Sequence, residues 1–311
     1  MARWGLVVCL ILATHAVVLA TLGMRAPGPL VSSVIQLGAG FATALACCGA
    51  LLRSDAVGRH FWRLLTASFV LWMVAELTSI LLPAQGGLAD LLFQLSTLPL
   101  GAAPFLNAAR ERKRFDPIHW ADLGQALLLW ITFYVYFTPA GMAPLAYGPL
   151  WNRSMFVDSL VLLSFLCRGL FADGRTIRSL FLPMCGYCAV AGVADVVGSF
   201  PANNYPAGAW FDIVWTFVLM APLMIAAAWD PSGLSPPEPE AHGNRSTVFD
   251  NVFPLLYPAC IMLFLGRIAQ HLPGAAAPIG IGSFLCFSWR VLVIHGRPLR
   301  FPSGEHAAAT Y

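Results

Sequence analysis

Five carboxylates stand inside stretches that are otherwise apolar: Glu76, Asp90, Asp158, Asp195 and Asp212. An ionisable side chain is costly in hydrocarbon, so each marks a functional face or a partnered site. Polar residues continue from them at helical spacing. Asp90, Gln94, Thr97, Gly101, Pro104 and Asn107 follow at intervals of four, three, four, three and three, which sets them along one helix face. Asp122, Gln125, Thr132 and Tyr136 form a second stripe, and Cys188, Gly192, Asp195 and Ser199 a third. The three stripes are expected to line a common cavity, polar outside and narrowing inward, with Pro104, Pro183 and Pro222 opening backbone carbonyls towards it. The chemistry this suggests is recognition of a cation, an amine or a proton, since repulsion among clustered acids makes protonation a trigger. The expected ligand contacts are Glu76, Asp90, Gln94, Asp158, Asp195 and Asp212, with Thr97, Asn107, Gln125, Thr132 and Tyr136 lining the cavity. The competing use is structural: the same acids would pair with Arg153, Arg267 and His271 and hold helices together.

Reaction chemistry lacks its parts. No HExxH, GxSxG, P-loop or aspartate-rich diphosphate motif occurs, so an enzyme is not expected. Of seven histidines, His15 alone lies deep in an apolar stretch, while His60, His119 and His295 fall at stretch ends. A bis-histidine haem therefore has no evident pair, and neither cofactor nor metal is expected. All eight cysteines (Cys9, Cys47, Cys48, Cys167, Cys185, Cys188, Cys260, Cys286) are in apolar surroundings, where cysteine packs as a small hydrophobe. Cys185 and Cys188 have redox or metal spacing, and small-residue helix packing accounts for the same spacing. Asn152-Arg153-Ser154 matches a glycosylation triplet by pattern.

The elements that must position these residues are membrane helices. The chain has 311 residues, is 58% hydrophobic and 11% charged, and has a mean hydropathy of +0.72, against roughly 25% charge in soluble domains. Ten apolar segments are expected: Trp4 to Leu22, Leu30 to Leu52, Phe61 to Leu82, Leu88 to Asn107, Leu123 to Phe137, Trp151 to Phe171, Ser179 to Phe200, Trp210 to Trp229, Val252 to Ile268 and Ala275 to Ile294. The fold class is thus all-α, a polytopic bundle of about ten transmembrane helices. With the N-terminus inside, Arg25, Arg153 and Arg267 are the three of the 18 Lys and Arg that fall outside. This positive-inside bias puts both termini in the cytoplasm. The expected location is the plasma membrane, in a bacterium the inner membrane. The first segment, with Arg3 before it and small residues near Ala20, also fits a signal peptide with a long apolar core. Trp4, Trp62, Trp120, Trp151, Trp210 and Trp229 fall at segment ends, as membrane-surface anchors do. Arg168 and Arg290, near inner ends, are expected to snorkel to headgroups.

Pro231 to Glu240 (PSGLSPPEPE) cannot be helical and reads as an extended linker. The expected organisation is an eight-helix bundle over 1–229, a linker over 230–251, a terminal hairpin over 252–296 and a cytoplasmic tail over 297–311. The net charge of +3 comes from loop arginines rather than a basic face, so nucleic acid is not an expected partner.

Arg59, His60, Trp62 and Arg63 lead into a helix with Trp72 and Glu76. Asp90-Leu91-Leu92-Phe93 follows with Pro99 and Pro104, then Asp122-Leu123-Gly124-Gln125 before Tyr134-Val135-Tyr136-Phe137, then Asp158 and Arg168. On these features the run from Arg59 to Trp229 resembles the polytopic sensor region that precedes the catalytic domain in bacterial membrane-bound GGDEF-type diguanylate cyclases. The resemblance implies a sensor of an extracytoplasmic or lipid-phase signal. No GGDEF sequence follows, so output would need another polypeptide, reached through Arg297 to Tyr311 or the Arg110 to Arg114 loop. The other expectation is a secondary transporter: ten helices in about 300 residues with both termini inside match the five-plus-five build of the drug/metabolite superfamily. Residues 1–150 and 151–311 show no evident internal similarity, and most deep polar residues stop in the outer half, both of which favour the sensor.

Overall fold

The computed structural model describes residues 2–54, 56–106, 117–137, 147–172, 175–198, 205–230 and 255–295. Among these residues the chain is all-helical, with ten α-helices and no strand. They are α1 (Ala2–Thr21), α2 (Gly28–Arg53), α3 (Ala56–Leu81), α4 (Gly86–Ala102), α5 (Pro117–Phe137), α6 (Tyr147–Leu170), α7 (Arg175–Gly198), α8 (Asp212–Ala228), α9 (Leu256–His271) and α10 (Pro273–His295). Each expected apolar segment is one of these helices. Five contain stretches long and apolar enough to cross a membrane: Arg3–Thr21, Gly28–Arg53, Gly58–Leu81, Arg178–Gly198 and Pro273–Val293. Several helices begin before the apolar segment does, α3 at Ala56 and α5 at Pro117. Hydropathy marks the apolar part of a helix, whereas backbone hydrogen bonding continues past it.

The fourth helix departs from expectation at its end. A continuous span to Asn107 is replaced by α-helix to Ala102 and a 3-10 turn over Ala103–Phe105. Pro99 and Pro104 each remove a backbone donor and clash with the preceding turn, so the last segment tightens and stops. Asn107 lies outside the described residues, as do residues 231–251 of the linker and the tail.

Helices α2, α3 and α4 pack in sequence, α8 crosses back to lie against α2 and α1, and α7 joins α8 to α6. The terminal pair α9 and α10 packs on α5. Without water between apolar helices, association depends on close packing and interhelical hydrogen bonds worth about 0.6 kcal/mol each on average. Small residues provide the close approach: Ala39, Ala46, Cys47 and Ala50 are buried on α2. Thr43 donates to the Leu219 carbonyl on α8 at 2.7 Å. A backbone carbonyl one turn before Pro222 is thus used to join two helices rather than to face a cavity.

An aromatic cluster closes one end of the bundle. Phe61 meets Trp62 and Phe181 edge to face at centroid distances of 5.1 and 5.3 Å, and Phe165 lies 5.8 Å from Phe181. Trp62 is fully buried and 6.2 Å from the buried Trp229, whose indole N–H donates to Ser54 Oγ. Two of the expected surface anchors are therefore core residues, since neighbouring helix ends cover them. Trp120 and Trp210 are exposed, in keeping with the anchor role, and the Trp151 side chain lies outside the described ones.

Candidate functional site

Four of the five expected carboxylates lie towards one end of the bundle in two pairs. Helix α8 begins at Asp212, close enough to Glu76 on α3 for the two charges to repel. Asp158 on α6 faces Asp195 on α7 within hydrogen-bonding reach, and its buried Oδ2 has no hydrogen-bond partner among the described residues. Gly192, one turn before Asp195, makes that approach fit: a Cβ there would stand 3.2 Å from Cβ of Asp158. Gly198, one turn after Asp195, packs against the rings of Phe211 and Trp215 on either side of Asp212. That contact brings the two pairs to neighbouring positions. Asp90, near the start of α4, is half-buried.

Asp212 is extensively bonded. Its Oδ2 accepts the Ser32 hydroxyl at 2.5 Å and the Gly208 N–H at 2.7 Å. Its carbonyl accepts from Gln36 at 3.3 Å and from Thr216 at 3.2 Å. The helix N-terminus also favours a negative charge there. Gly208 has φ +84 and a Cβ at that position would come within 2.5 Å of the Gly23 carbonyl oxygen, so glycine is required. His15 joins the network from α1: Nε2 is 2.8 Å from Ser32 Oγ and Nδ1 is 2.7 Å from Thr216 Oγ1. It is fully buried, as are Ser32 and Thr216. Glu76 is buried and hydrogen-bonded by Ser33. The depth of His15 is visible in the sequence, but its partners are not, because Thr216 is 201 residues away.

The three polar stripes do not meet in one cavity. The α5 stripe turns to the terminal hairpin: Asp122 forms a 2.9 Å ion pair with Arg290 on α10, and Gln125 Nε2 donates to the Ser283 carbonyl at 2.6 Å. Ser283 Oγ donates in return to Gln125 Oε1 at 3.1 Å. Thr132 is buried with its hydroxyl on its own helix, donating to the Leu128 carbonyl, and Tyr136 stacks edge-on against Phe264 of α9. The α7 stripe turns to Asp158. Arg290 does not snorkel, because Asp122 holds it in a buried ion pair. Arg168 is also buried, donating to the Leu106 carbonyl at 2.9 Å just after the 3-10 turn and lying over the Phe181 ring at 5.8 Å. The side chains of Arg153 and His271 lie outside the described ones, and Arg267 is exposed on α9.

A cleft enclosing about 420 Å³, its open mouth included, lies between α4, α5, α6 and α9. Thr97 and Gly101 reach it, whereas α5 presents Ala126, Leu129, Trp130 and Phe133 instead of its polar stripe. The polar groups on its wall are bonded to backbone: Thr97 and Trp130 to the Gln94 carbonyl, Ser164 to Leu160, and Tyr257 to Gly101. Its surface is therefore apolar and the carboxylate pairs stand apart from it. Among the described residues no group of three or more His, Cys, Asp or Glu could hold a metal, and the cysteines are free thiols.

The architecture defines a helical bundle with membrane-length apolar helices, buried interhelical polar networks and paired carboxylates near one end. No family model matches the chain, and no match is found among curated proteins or solved structures.

Proposed function

We propose that the chain is a ten-span integral membrane protein of the bacterial inner membrane, with both termini cytoplasmic, that acts as a sensor. It takes up a small cationic or protonatable ligand from the outer side, at the level of Glu76, Asp90, Asp158, Asp195 and Asp212, and signals to a separate partner without catalysis of its own. The observation that carries this reading is the pairing of Glu76 with Asp212 and of Asp158 with Asp195 on neighbouring helices. A cation entering between such carboxylates gains charge-assisted hydrogen bonds and relieves their repulsion. Helix α8 suits transmission: it carries Asp212 at its first residue and runs 17 residues, about 25 Å, to Trp229 in the opposite aromatic cluster.

Secondary transport of the drug/metabolite type is the second reading, supported by the ten-helix count. Labelling of single cysteines at Gln94 and Asn107, in a background with the eight native cysteines replaced, separates the two. An impermeant thiol reagent is expected to reach Gln94→Cys from outside and Asn107→Cys from inside. Labelling of either position from both sides overturns the sensor in favour of alternating access, and reversed sides overturn the topology.

A further inference from the structure

We infer that His15, Ser32, Thr216 and Asp212 form a binding site for one exchangeable proton, shared between the imidazole and the carboxylate through the Ser32 hydroxyl. The inference follows from counting hydrogens along four contacts of 2.5 to 3.2 Å. A hydroxyl has one hydrogen to donate, a carboxylate has none, and a neutral imidazole has one N–H and one bare nitrogen.

Without the added proton, Ser32 donates to Asp212 Oδ2, so His15 must donate from Nε2 to Ser32 Oγ. Nδ1 is then bare and takes the Thr216 hydrogen. With the proton added at Nδ1, His15 donates to Thr216 Oγ1, and the Thr216 hydroxyl turns to donate to the Asp212 carbonyl. Every donor and acceptor of these four side chains keeps a partner in both states, with one hydroxyl rotation between them. A third arrangement holds the same proton differently. Asp212 donates it to Ser32 Oγ while the Ser32 hydrogen bonds the bare Nε2 and Nδ1 donates to Thr216. The two protonated arrangements differ by a hydrogen moving from Ser32 to His15 as another moves from Asp212 to Ser32. Atoms and charge balance, and no co-reactant is required.

The fully buried ring reaches the outside through Asp212, which is only half-buried at the start of α8. The charged and titratable groups facing the site are Asp212 on α8 and, beyond Ser33, Glu76 on α3. Helix α2 contributes the uncharged Ser32, Ser33 and Gln36. Arg25, in the loop between α1 and α2, is exposed, and Asp195 on α7 lies past Phe211. The site does not depend on the ligand reading above, and the cysteine-labelling experiment does not bear on it.

The test is nuclear magnetic resonance of the full chain in lipid nanodiscs, labelled with 15N-histidine and 13C-aspartate, with His15→Gln and Asp212→Asn used to assign the signals. Between pH 4.5 and 9 the His15 nitrogens are expected to pass from two N–H groups, or from Nδ1–H alone where Asp212 holds the proton, to Nε2–H alone, in a transition with the slope of a single proton. The Asp212 carboxyl signal should move at the same midpoint. Ser32→Ala, which removes the bridge, is expected to separate the two midpoints by at least tenfold in proton concentration. A His15 signal that keeps one neutral tautomer throughout overturns the inference. So do wild-type His15 and Asp212 signals that titrate independently, or a Ser32→Ala variant whose signals still move together.

Discussion

Removing one member of the Asp122 and Arg290 pair leaves a buried charge without its counter-ion, which costs about 3–5 kcal/mol, whereas removing both leaves none. Arg290→Met is therefore expected to lower the thermal denaturation midpoint in detergent far more than the double variant with Asp122→Asn. Single and double variants that melt together would show that the pair contributes nothing. The pair also shows what was legible at this scale. The stripe through Asp122 and Gln125 is readable as a polar face from its spacing, but the neighbour that face meets is not. Arg290 reads as a snorkelling arginine because its distance from a helix end is in the sequence and its 2.9 Å partner, 168 positions away, is not. Trp62 reads as a surface anchor for the same reason: its place at a segment end is visible, and the burial imposed by Phe61 and Trp229 is not.

At the scale of the element, hydropathy located the ten helices well because a helix satisfies its own backbone within each apolar stretch, whatever surrounds it. Rotation about the helix axis is set by packing and had to come from the structure. Glycine positions give a direct check on that rotation. A side chain at Gly192 meets Asp158, while one at Gly186, two turns earlier on the same helix, meets nothing within 4 Å. Gly192→Val should therefore push α6 from α7 and lower the melting midpoint, and Gly186→Val should leave it nearly unchanged. Equal effects would mean that α7 is turned differently. Pro99 and Pro104 are the exception in which sequence chemistry acts beyond its own helix: ending the α-helix at Ala102 leaves a carbonyl, that of Leu106, for Arg168.

The whole molecule divides its polar contacts by region. His15, Ser32, Asp212 and Thr216 tie α1 and α2 to α8, Asp122, Gln125, Ser283 and Arg290 tie α5 to α10, and Asp158 and Asp195 face each other between α6 and α7. A single shared cavity was the expectation from polar stripes, and the structure distributes those stripes over separate helix pairs. The association of α5 with the last two helices can be tested by truncation after Asn251. The shortened chain is expected to be cleared from the membrane faster than the intact one, with Asp122→Asn lengthening its lifetime. A shortened chain as long-lived as the intact one would mean that Asp122 is satisfied without α10.

That same ion pair sets a schedule for biogenesis. Asp122 is synthesised 168 residues before Arg290, an interval of roughly ten to thirty seconds at about 5–20 residues per second. Throughout it Asp122 has no counter-ion, and the buried position it shares with Arg290 can form only once α10 exists, so completion of the last helix becomes the moment at which the bundle can close.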